Sequence, residues 1–447
     1  MNTKSAMCIT LAALVSHAAL MAQEQQATEI VQPEAAAEVN KVVTTRAKKT
    51  TAKSRVAEDM RAYCKEAGIV LGAVRQDGAL YISGVERVNA NAKSPNFVRS
   101  RTMAYAKAYQ RAVAGYVLNK FGVESVKQFN TYFKDQSSDA LQPSADVKST
   151  MQRIDEKVAQ LTEAKLDEGL RAMGVTPSGT VLEKRKLAED SIVTRSTRTA
   201  VGSSAGLLPV QTFEGWDESG KYAIGVVIRG GIDTETIADC LRHKVRPTLS
   251  RPEAGLPVDK AIPTDEELVS QFGVRLFFDE NGVPALLSFG QWGSAYAGND
   301  EDEAEDAMDH AKIQAKAIAN EQLTTFINST ISVSESSDKG EAKNKHVLFD
   351  ANGVPSEEKV LEYIDRAMHS STITGTDTLI GRSPVGPERE IEHPQSGQKL
   401  AVSIVMWSFG QYDAMKRVIE RPKPVDQPSP APATGTPGKR RGRSYDF

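Results

Sequence analysis

Two stretches of the chain repeat the same pattern of apolar and polar positions. Residues 103–121 (MAYAKAYQRAVAGYVLNKF) and 308–326 (MDHAKIQAKAIANEQLTTF) place small or apolar residues three and four positions apart, the spacing of one helix face. The pattern predicts two Ala-rich helices, each packed by one face against a sheet. The predicted buried positions are Met103, Ala106, Gln110, Val113, Val117 and Phe121 in the first helix and Met308, Ala311, Ala315, Ile318, Gln322 and Phe326 in the second.

The match extends on both sides of these helices. Adding 205 to each number aligns 68–121 with 273–326 without a gap, and twelve of the 54 positions are identical. In each copy a turn signal, Asp77-Gly78 or Asn281-Gly282, separates two short apolar runs. Such a signal predicts a β-hairpin ahead of the helix.

The later parts of the copies align at a different offset. Adding 178 places KYAIGVVIR at 221–229 on KLAVSIVMW at 399–407. Alternating β-branched residues predict strands there and in the Ser/Thr-rich stretches 191–202 and 370–381. The predicted fold class is α+β: two related copies of an antiparallel sheet with Ala-rich helices packed on one face.

The difference of 27 residues between the two offsets predicts an insertion in the first copy, at 144–175. Five apolar residues there follow a heptad spacing and form a seam: Val147, Met151, Ile154, Val158 and Leu161. Two interpretations are open. The helix packs on its own domain, or it projects as an arm that pairs with a partner or with a second copy of the chain.

Polar and proline-rich stretches set the predicted boundaries. Residues 23–55 are polar and are predicted to be a disordered lead-in. Residues 246–264 contain four prolines and are predicted to link copy one (56–245) to copy two (265–420). The Pro-rich and then basic segment 421–447 is predicted to be a disordered tail.

Residues 1–22 have the pattern of a secretory signal peptide. Lys4 precedes an apolar run, and Leu20-Met21-Ala22 is an acceptable cleavage site. A retained membrane anchor is the alternative. Cys8 lies too early in the run to belong to a lipobox. We therefore expect a soluble periplasmic or secreted protein.

Cleavage would leave two cysteines, Cys64 and Cys240, one near each end of copy one. An oxidising compartment permits a disulfide between them. Two separately buried thiols are the alternative.

Charge and composition narrow the class of partner. The net charge of −3 provides no field that would attract nucleic acid. The basic run KRRGR at 439–443 is expected to be solvated or to make weak contact with an anionic lipid or polysaccharide surface.

The candidate catalytic and metal-binding motifs are incomplete. Ser204 lies in a G-x-S-x-G sequence, but LLPVQTF, which predicts a loop or strand, follows in place of the helix that a nucleophile elbow needs. Cys240 and His243 form an isolated C-x-x-H, whereas zinc needs three or four ligands. The acidic run 298–306 is expected to cap the second Ala-rich helix. No catalytic, cofactor or metal site is predicted.

The order of these features resembles that of LPP20-like envelope proteins and of uncharacterised α+β domains in secreted Gram-negative proteins. The residues that carry the resemblance are Ala106, Ala112, Ala114, Ala311, Ala317 and Ala319, with the predicted strands at 191–202, 222–228, 370–381 and 400–407. The resemblance implies a non-enzymatic cell-envelope protein and supplies no catalytic residues. The absence of a lipobox cysteine departs from the lipoprotein members and puts membrane anchoring in doubt.

These observations together predict an exported binding or scaffold protein of the envelope. Its expected partner is an envelope protein or a glycan, with self-association through 144–175 as a further prediction. A hydrolase with an unrecognised active site is the alternative.

Overall fold

The helices and strands are those of a computed structural model, which describes residues 51–133, 140–144, 146–246, 255–328, 349, 355–362 and 381–419. The first half contains α1 (Ala52–Glu66), β1 (Leu80–Val88), α2 (Phe97–Tyr132), α3 (Val147–Ala159), α4 (Glu163–Ala172), α5 (Val181–Gly202), β2 (Leu208–Trp216), β3 (Tyr222–Gly230) and α6 (Ile232–His243). The second half contains α7 (Val258–Ala261), α8 (Asp265–Leu268), β4 (Gly273–Phe278), β5 (Pro284–Gly293), α9 (Glu301–Asn328), β6 (Arg382–Pro384), β7 (Arg389–Glu392), β8 (Lys399–Ser408) and α10 (Phe409–Ile419).

Each half is built on an antiparallel sheet. The first sheet has the strand order β1-β3-β2. The second has the order β4-β5-β8-β6, and β7 also pairs with β8. The Ala-rich helix α2 packs on one face of the first sheet, and α9 packs on one face of the second. The predicted α+β class with two helix-covered antiparallel sheets is confirmed.

The same close approach brings each Ala-rich helix onto its sheet. Gly84 of β1 lies under Ala108 of α2, and a Cβ at position 84 would overlap the Ala108 carbonyl oxygen. Gly290 of β5 lies in the same way under Ala315 of α9. Because glycine and alanine have the smallest side chains, the helix backbone can rest almost directly on the strand.

These matching contacts correct the predicted alignment of the two copies. Gly84 corresponds to Gly290 at an offset of 206, and Ala108 corresponds to Ala315 at an offset of 207. The predicted offset of 205 is therefore wrong by one residue in the strand and by two in the helix. A one-residue error matters because successive strand side chains point to opposite faces of the sheet.

The buried face of α2 is consequently rotated from the predicted one. Val113, Val117 and Phe121 are buried as predicted, but Met103 is 54% exposed and Ala106 is also exposed. In α9 the predicted positions Ile318 and Gln322 are half-buried. The other four are buried: Met308, Ala311, Ala315 and Phe326.

The predicted hairpin forms in the second half alone. There the chain turns at Gly282, which has a positive φ of 70°, and β4 pairs with β5. In the first half the residues before the Asp77-Gly78 turn make a single bridge, Val74 to Leu80. Gly72, with a φ of 77°, interrupts the extended conformation that a strand would need.

The predicted strand at 191–202 is wrong, because these residues form the end of helix α5. A capping box between Thr180 and Glu183 starts this helix. Its buried positions recur every four residues, at Ala188, Ile192, Ser196 and Ala200. Packing against α2 therefore outweighs the β-propensity of the Ser/Thr-rich run.

The other predicted strands have different outcomes. Strand β3 contains the predicted strand 222–228, and β8 contains the predicted strand 400–407. β2, which follows α5, is the further strand of the first sheet. The predicted strand at 370–381 lies outside the described residues except for Gly381.

Two predicted boundaries also change. Helix α1 begins at Ala52, where the Thr51 hydroxyl accepts a hydrogen bond from the Ser54 N–H at 3.2 Å, so residues 52–55 are not part of a disordered lead-in. Part of the predicted linker is ordered against the domain: the Leu256 N–H donates to the Phe278 carbonyl at 2.8 Å, and Val258, Ala261 and Ile262 pack against the core. The predicted signal peptide and tail lie outside the described residues.

The described helices include none with the length and apolar run that a membrane span requires.

The strand glycines give the first test of this packing. We expect Gly84→Ala and Gly290→Ala each to lower the free energy of unfolding by about 3 kcal/mol, because the added Cβ overlaps helix backbone. Gly202→Ala is the control, since a Cβ at that position would meet no atom within 4 Å beyond its chain neighbours and its own helix backbone. Urea denaturation followed by circular dichroism measures all three. Wild-type stability in both strand variants would contradict the close approach.

Candidate functional site

A cleft of about 220 Å³ lies between helices α2 and α9. We call it the interhelical cleft. One wall is formed by Thr102, Met103, Tyr105, Ala106 and Tyr109 of α2, and the other by Ile318, Glu321, Gln322, Thr325 and Phe326 of α9. The floor consists of Leu207, Pro209, Gly273, Val274 and Trp292. Its lining is mostly apolar.

The floor lies where the edge strands of the two sheets, β2 and β4, meet. Gly273 begins β4 with a positive φ of 77° and lies against the Pro209 ring. A Cβ at position 273 would also come within 2.6 Å of the Tyr105 hydroxyl oxygen. Glycine at this position therefore lets the two edges and the tyrosine approach one another.

Two polar atoms in the cleft wall and floor lack a hydrogen-bond partner among the described residues. They are the hydroxyl oxygen of Tyr105 and the indole Nε1 of Trp292, and both are buried. The Tyr105 ring is held by stacking on Phe272, with ring centroids 4.4 Å apart. Burial raises the pKa of Tyr105 well above its usual value, so its hydroxyl keeps its proton at neutral pH.

A buried ion pair lies beside the floor. The Arg101 guanidinium is fully buried and donates from Nε to Glu214 Oε2 at 2.7 Å and from Nη2 to Glu214 Oε1. It also lies 4.7 Å from the ring centre of Phe272, the ring on which Tyr105 stacks. Burial opposes ionisation of Glu214, but the Arg101 charge and hydrogen bonds outweigh it and hold the pKa of Glu214 below its usual value.

The same guanidinium joins the two halves of the protein. Arg101 lies on α2, whereas it donates to Gln291 Oε1 of β5 at 2.8 Å and to the Val269 carbonyl at 2.5 Å. The amide of Gln291 donates in turn to the Leu268 and Val269 carbonyls at 2.8 and 3.0 Å. Tyr222 donates to Glu214 Oε2 at 2.8 Å, the oxygen that also accepts from Arg101 Nε.

His393 is a further buried group near this network. Its ring lies 5.2 Å from that of Phe97, and its Nδ1 accepts from the backbone N–H groups of Gln395 and Ser396 at 3.4 Å. Burial, together with the Arg101 charge, lowers the pKa of His393 to about 4. The imidazole is therefore neutral at pH 7.

The two cysteines lie in different hydrophobic clusters and are free. Cys64 is buried between α1 and β3, where it belongs to the cluster containing Ala223 and Val227. Cys240 is half-buried on α6. Burial raises the pKa of both thiols. The structure therefore does not contain the disulfide considered from the sequence.

The heptad seam faces its own half of the chain. Met151, Ile154 and Val158 are buried, and Val147 and Leu161 are half-buried against the same core. The insertion forms two helices, α3 and α4, rather than one, and they pack with α5 on α2.

The remaining candidate motifs are the G-x-S-x-G sequence at Ser204 and the possible metal ligands. The Ser204 side chain is fully buried, and its hydroxyl donates to the Val201 carbonyl at 2.8 Å. In the part of the chain that the structure describes, no three His, Cys, Asp or Glu side chains gather as a metal site.

Sequence reasoning missed the groups that distinguish this site: Arg101, Tyr105 and Trp292. A signal for Arg101 emerges only after the offset is corrected to 207, which aligns it with the buried Met308. A charge at an apolar stripe position predicts a buried partner. Met103, Ala106, Ile318 and Gln322 had been assigned to the core but line the cleft.

Comparisons with known proteins give two matches. Residues 151–243, which run from α3 to the end of α6, match the family described as Domain of unknown function (DUF6844). The crystal structure at 2.3 Å of hypothetical protein FTT1539c from Francisella tularensis is similar in fold, with a TM-score of 0.51 and 21% identity over 82% of this chain and 94% of that one. No curated protein matches. Neither match is to an LPP20-like protein, so that resemblance stays a prediction.

Removing Arg101 tests the joint between the halves. We expect Arg101→Met to lower the free energy of unfolding by about 3 kcal/mol, because the buried Gln291 and the partly buried Glu214 both lose their partner. Adding Glu214→Leu should restore part of this loss, since no unpaired charge remains. Chemical denaturation compares both with Lys107→Met, an exposed position on the same helix that should stay near wild type. A double variant less stable than the single one would contradict this account.

The low pKa of His393 predicts acid sensitivity. The unfolded imidazole takes up a proton near its ordinary pKa of 6.5 and the folded one near 4, so the unfolded state binds more protons between these values. The contribution of His393 to the free energy of unfolding should be fully present above pH 6.5. It should fall by about 3 kcal/mol on acidification to pH 4.

Unfolding free energies measured across this pH range check the prediction. His393→Gln should flatten the decline, whereas the exposed control His243→Gln should retain it. An unchanged pH dependence in His393→Gln would show that another group is responsible.

Proposed function

We propose that this chain is an exported, non-enzymatic binding protein that holds a small, largely apolar molecule in the interhelical cleft. The observation that carries the proposal is the cleft itself, a mostly apolar space of about 220 Å³ between two helices that are each fixed on a sheet. Small-molecule sites are typically concave and apolar with a few polar groups at fixed positions.

The groups in the cleft suit recognition better than acid–base catalysis. Its titratable residues are Tyr105, Tyr109 and the exposed Glu321. Burial raises the pKa of both tyrosines, which places proton release far from neutral pH. A general acid or base works best with a pKa near the working pH. The phenol, indole and amide groups can still donate hydrogen bonds.

The volume limits the size of the molecule. Apolar cavities of about 150 Å³ in proteins hold benzene. A space of about 220 Å³ therefore suits a substituted single ring or a short branched chain.

The proposed export to the periplasm or beyond rests on the N-terminal pattern of residues 1–22.

A cleft-filling substitution tests the proposal. We expect ethylbenzene to bind the wild-type protein saturably, with a dissociation constant of about 1 mM or tighter, since its eight carbons match the space. Ala106→Phe should weaken binding at least about tenfold, because the added ring occupies the cleft. Heteronuclear NMR titration measures both.

Ala317→Phe is the matched control, since Ala317 is an exposed alanine on α9 outside the cleft lining. It should bind ethylbenzene as the wild type does. Equal affinity in Ala106→Phe and wild type would place the binding site elsewhere.

A further inference from the structure

Two residues that line the interhelical cleft carry buried hydrogen-bond donors without a partner among the described residues. The Tyr105 side chain is only 4% exposed, yet its hydroxyl has no partner. The indole N–H of Trp292, in the floor, is also buried without one. A buried donor that lacks an acceptor is unfavourable, so unpaired groups of this kind call for an explanation.

We infer that the ligand of this cleft is a neutral molecule with an apolar body and one acceptor oxygen, that of a carbonyl or ester. The oxygen receives hydrogen bonds from Tyr105 and Trp292. This inference rests on the proposed function and names the chemical class that the site selects.

The need for an acceptor follows from the chemistry of the two groups. An indole N–H can donate but not accept. The phenol of Tyr105 keeps its proton at neutral pH and therefore has a hydrogen to donate. Two donors in one cleft favour an oxygen with two lone pairs over a ligand amine or a plain hydrocarbon.

The charge of the cleft lining disfavours an anionic ligand. Glu321 is the one charged residue among the described residues of the lining. A carboxylate bound here would lose its hydration without a cation in the lining to replace it, since the Arg99 guanidinium, 5.8 Å from the Trp292 ring centre, donates to the Gly293 and Ser294 carbonyls. It would also lie near the carboxylate of Glu321. A neutral oxygen avoids both penalties.

The apolar body of the ligand fits the remaining surface. Ala106 of α2, Ile318 of α9 and Val274 of the floor contribute apolar surface to the lining. Met103, at 54% exposure, covers the rim with a flexible thioether that can adapt to the ligand.

Three probes of similar size separate the possibilities: ethylbenzene, acetophenone and benzoate. They share an aromatic ring and differ in carrying no acceptor, a neutral acceptor or a negative charge. The chain has three tryptophans, so the indole signal of Trp292 can be assigned by substitution in ¹H–¹⁵N NMR spectra.

We expect acetophenone to bind about tenfold more tightly than ethylbenzene. It should also move the Trp292 indole proton downfield, whereas ethylbenzene should not. Benzoate should bind more weakly than acetophenone. Tyr105→Phe keeps the ring that stacks on Phe272 and should reduce the preference for acetophenone several-fold while leaving ethylbenzene affinity unchanged, which also shows that the cleft is intact. Trp292→Phe should reduce the same preference.

Other outcomes overturn the inference in distinguishable ways. Equal affinity for ethylbenzene and acetophenone in the wild type would mean that bound water satisfies the two donors, and the proposed function would stand without this ligand class. Tighter binding of benzoate would reverse the charge argument. Failure of all three probes to bind saturably would overturn the proposed function as well.

Discussion

The buried guanidinium of Arg101 is the interaction on which the joint between the two halves depends. It pairs with Glu214 of the first sheet and with Gln291 of the second, so one side chain holds both. A guanidinium can do this because its donors lie in one plane and point in several directions. Once buried, it cannot lose a partner without a large penalty, which fixes the relative position of the sheets.

The interhelical cleft results from this joint and from the close packing of each helix on its sheet. Gly84 and Gly290 allow α2 and α9 to rest on their strands through the faces that contain Ala108 and Ala315. The remaining faces of α2 and α9 lie on the two sides of the joined sheet edges and form the walls of the cleft. The two halves are not equivalent there, because Arg101 occupies the position that Met308 has in α9.

Local signals in the sequence were reliable where they set the ends of elements. The Asn281-Gly282 turn forms with a positive φ at Gly282, and Asp300 accepts from the Glu303 N–H at 3.1 Å at the start of α9. The Ser/Thr-rich run 191–202 shows the opposite case. Its β-branched residues favour a strand, yet the capping box at Thr180 and the surface of α2 determine a helix. The capping box could have been recognised, whereas the packing surface could not.

The sequence by itself determined that α2 and α9 are helices and where several turns and caps fall, because these depend on residues within a few positions of one another. The tertiary structure decided which helix face is buried. Alanine suits a buried or an exposed position equally, so the periodicity did not distinguish the core at Ala108 from the cleft at Ala106. It also placed Tyr105 and Trp292, which lie far apart along the chain, in the lining of one cleft.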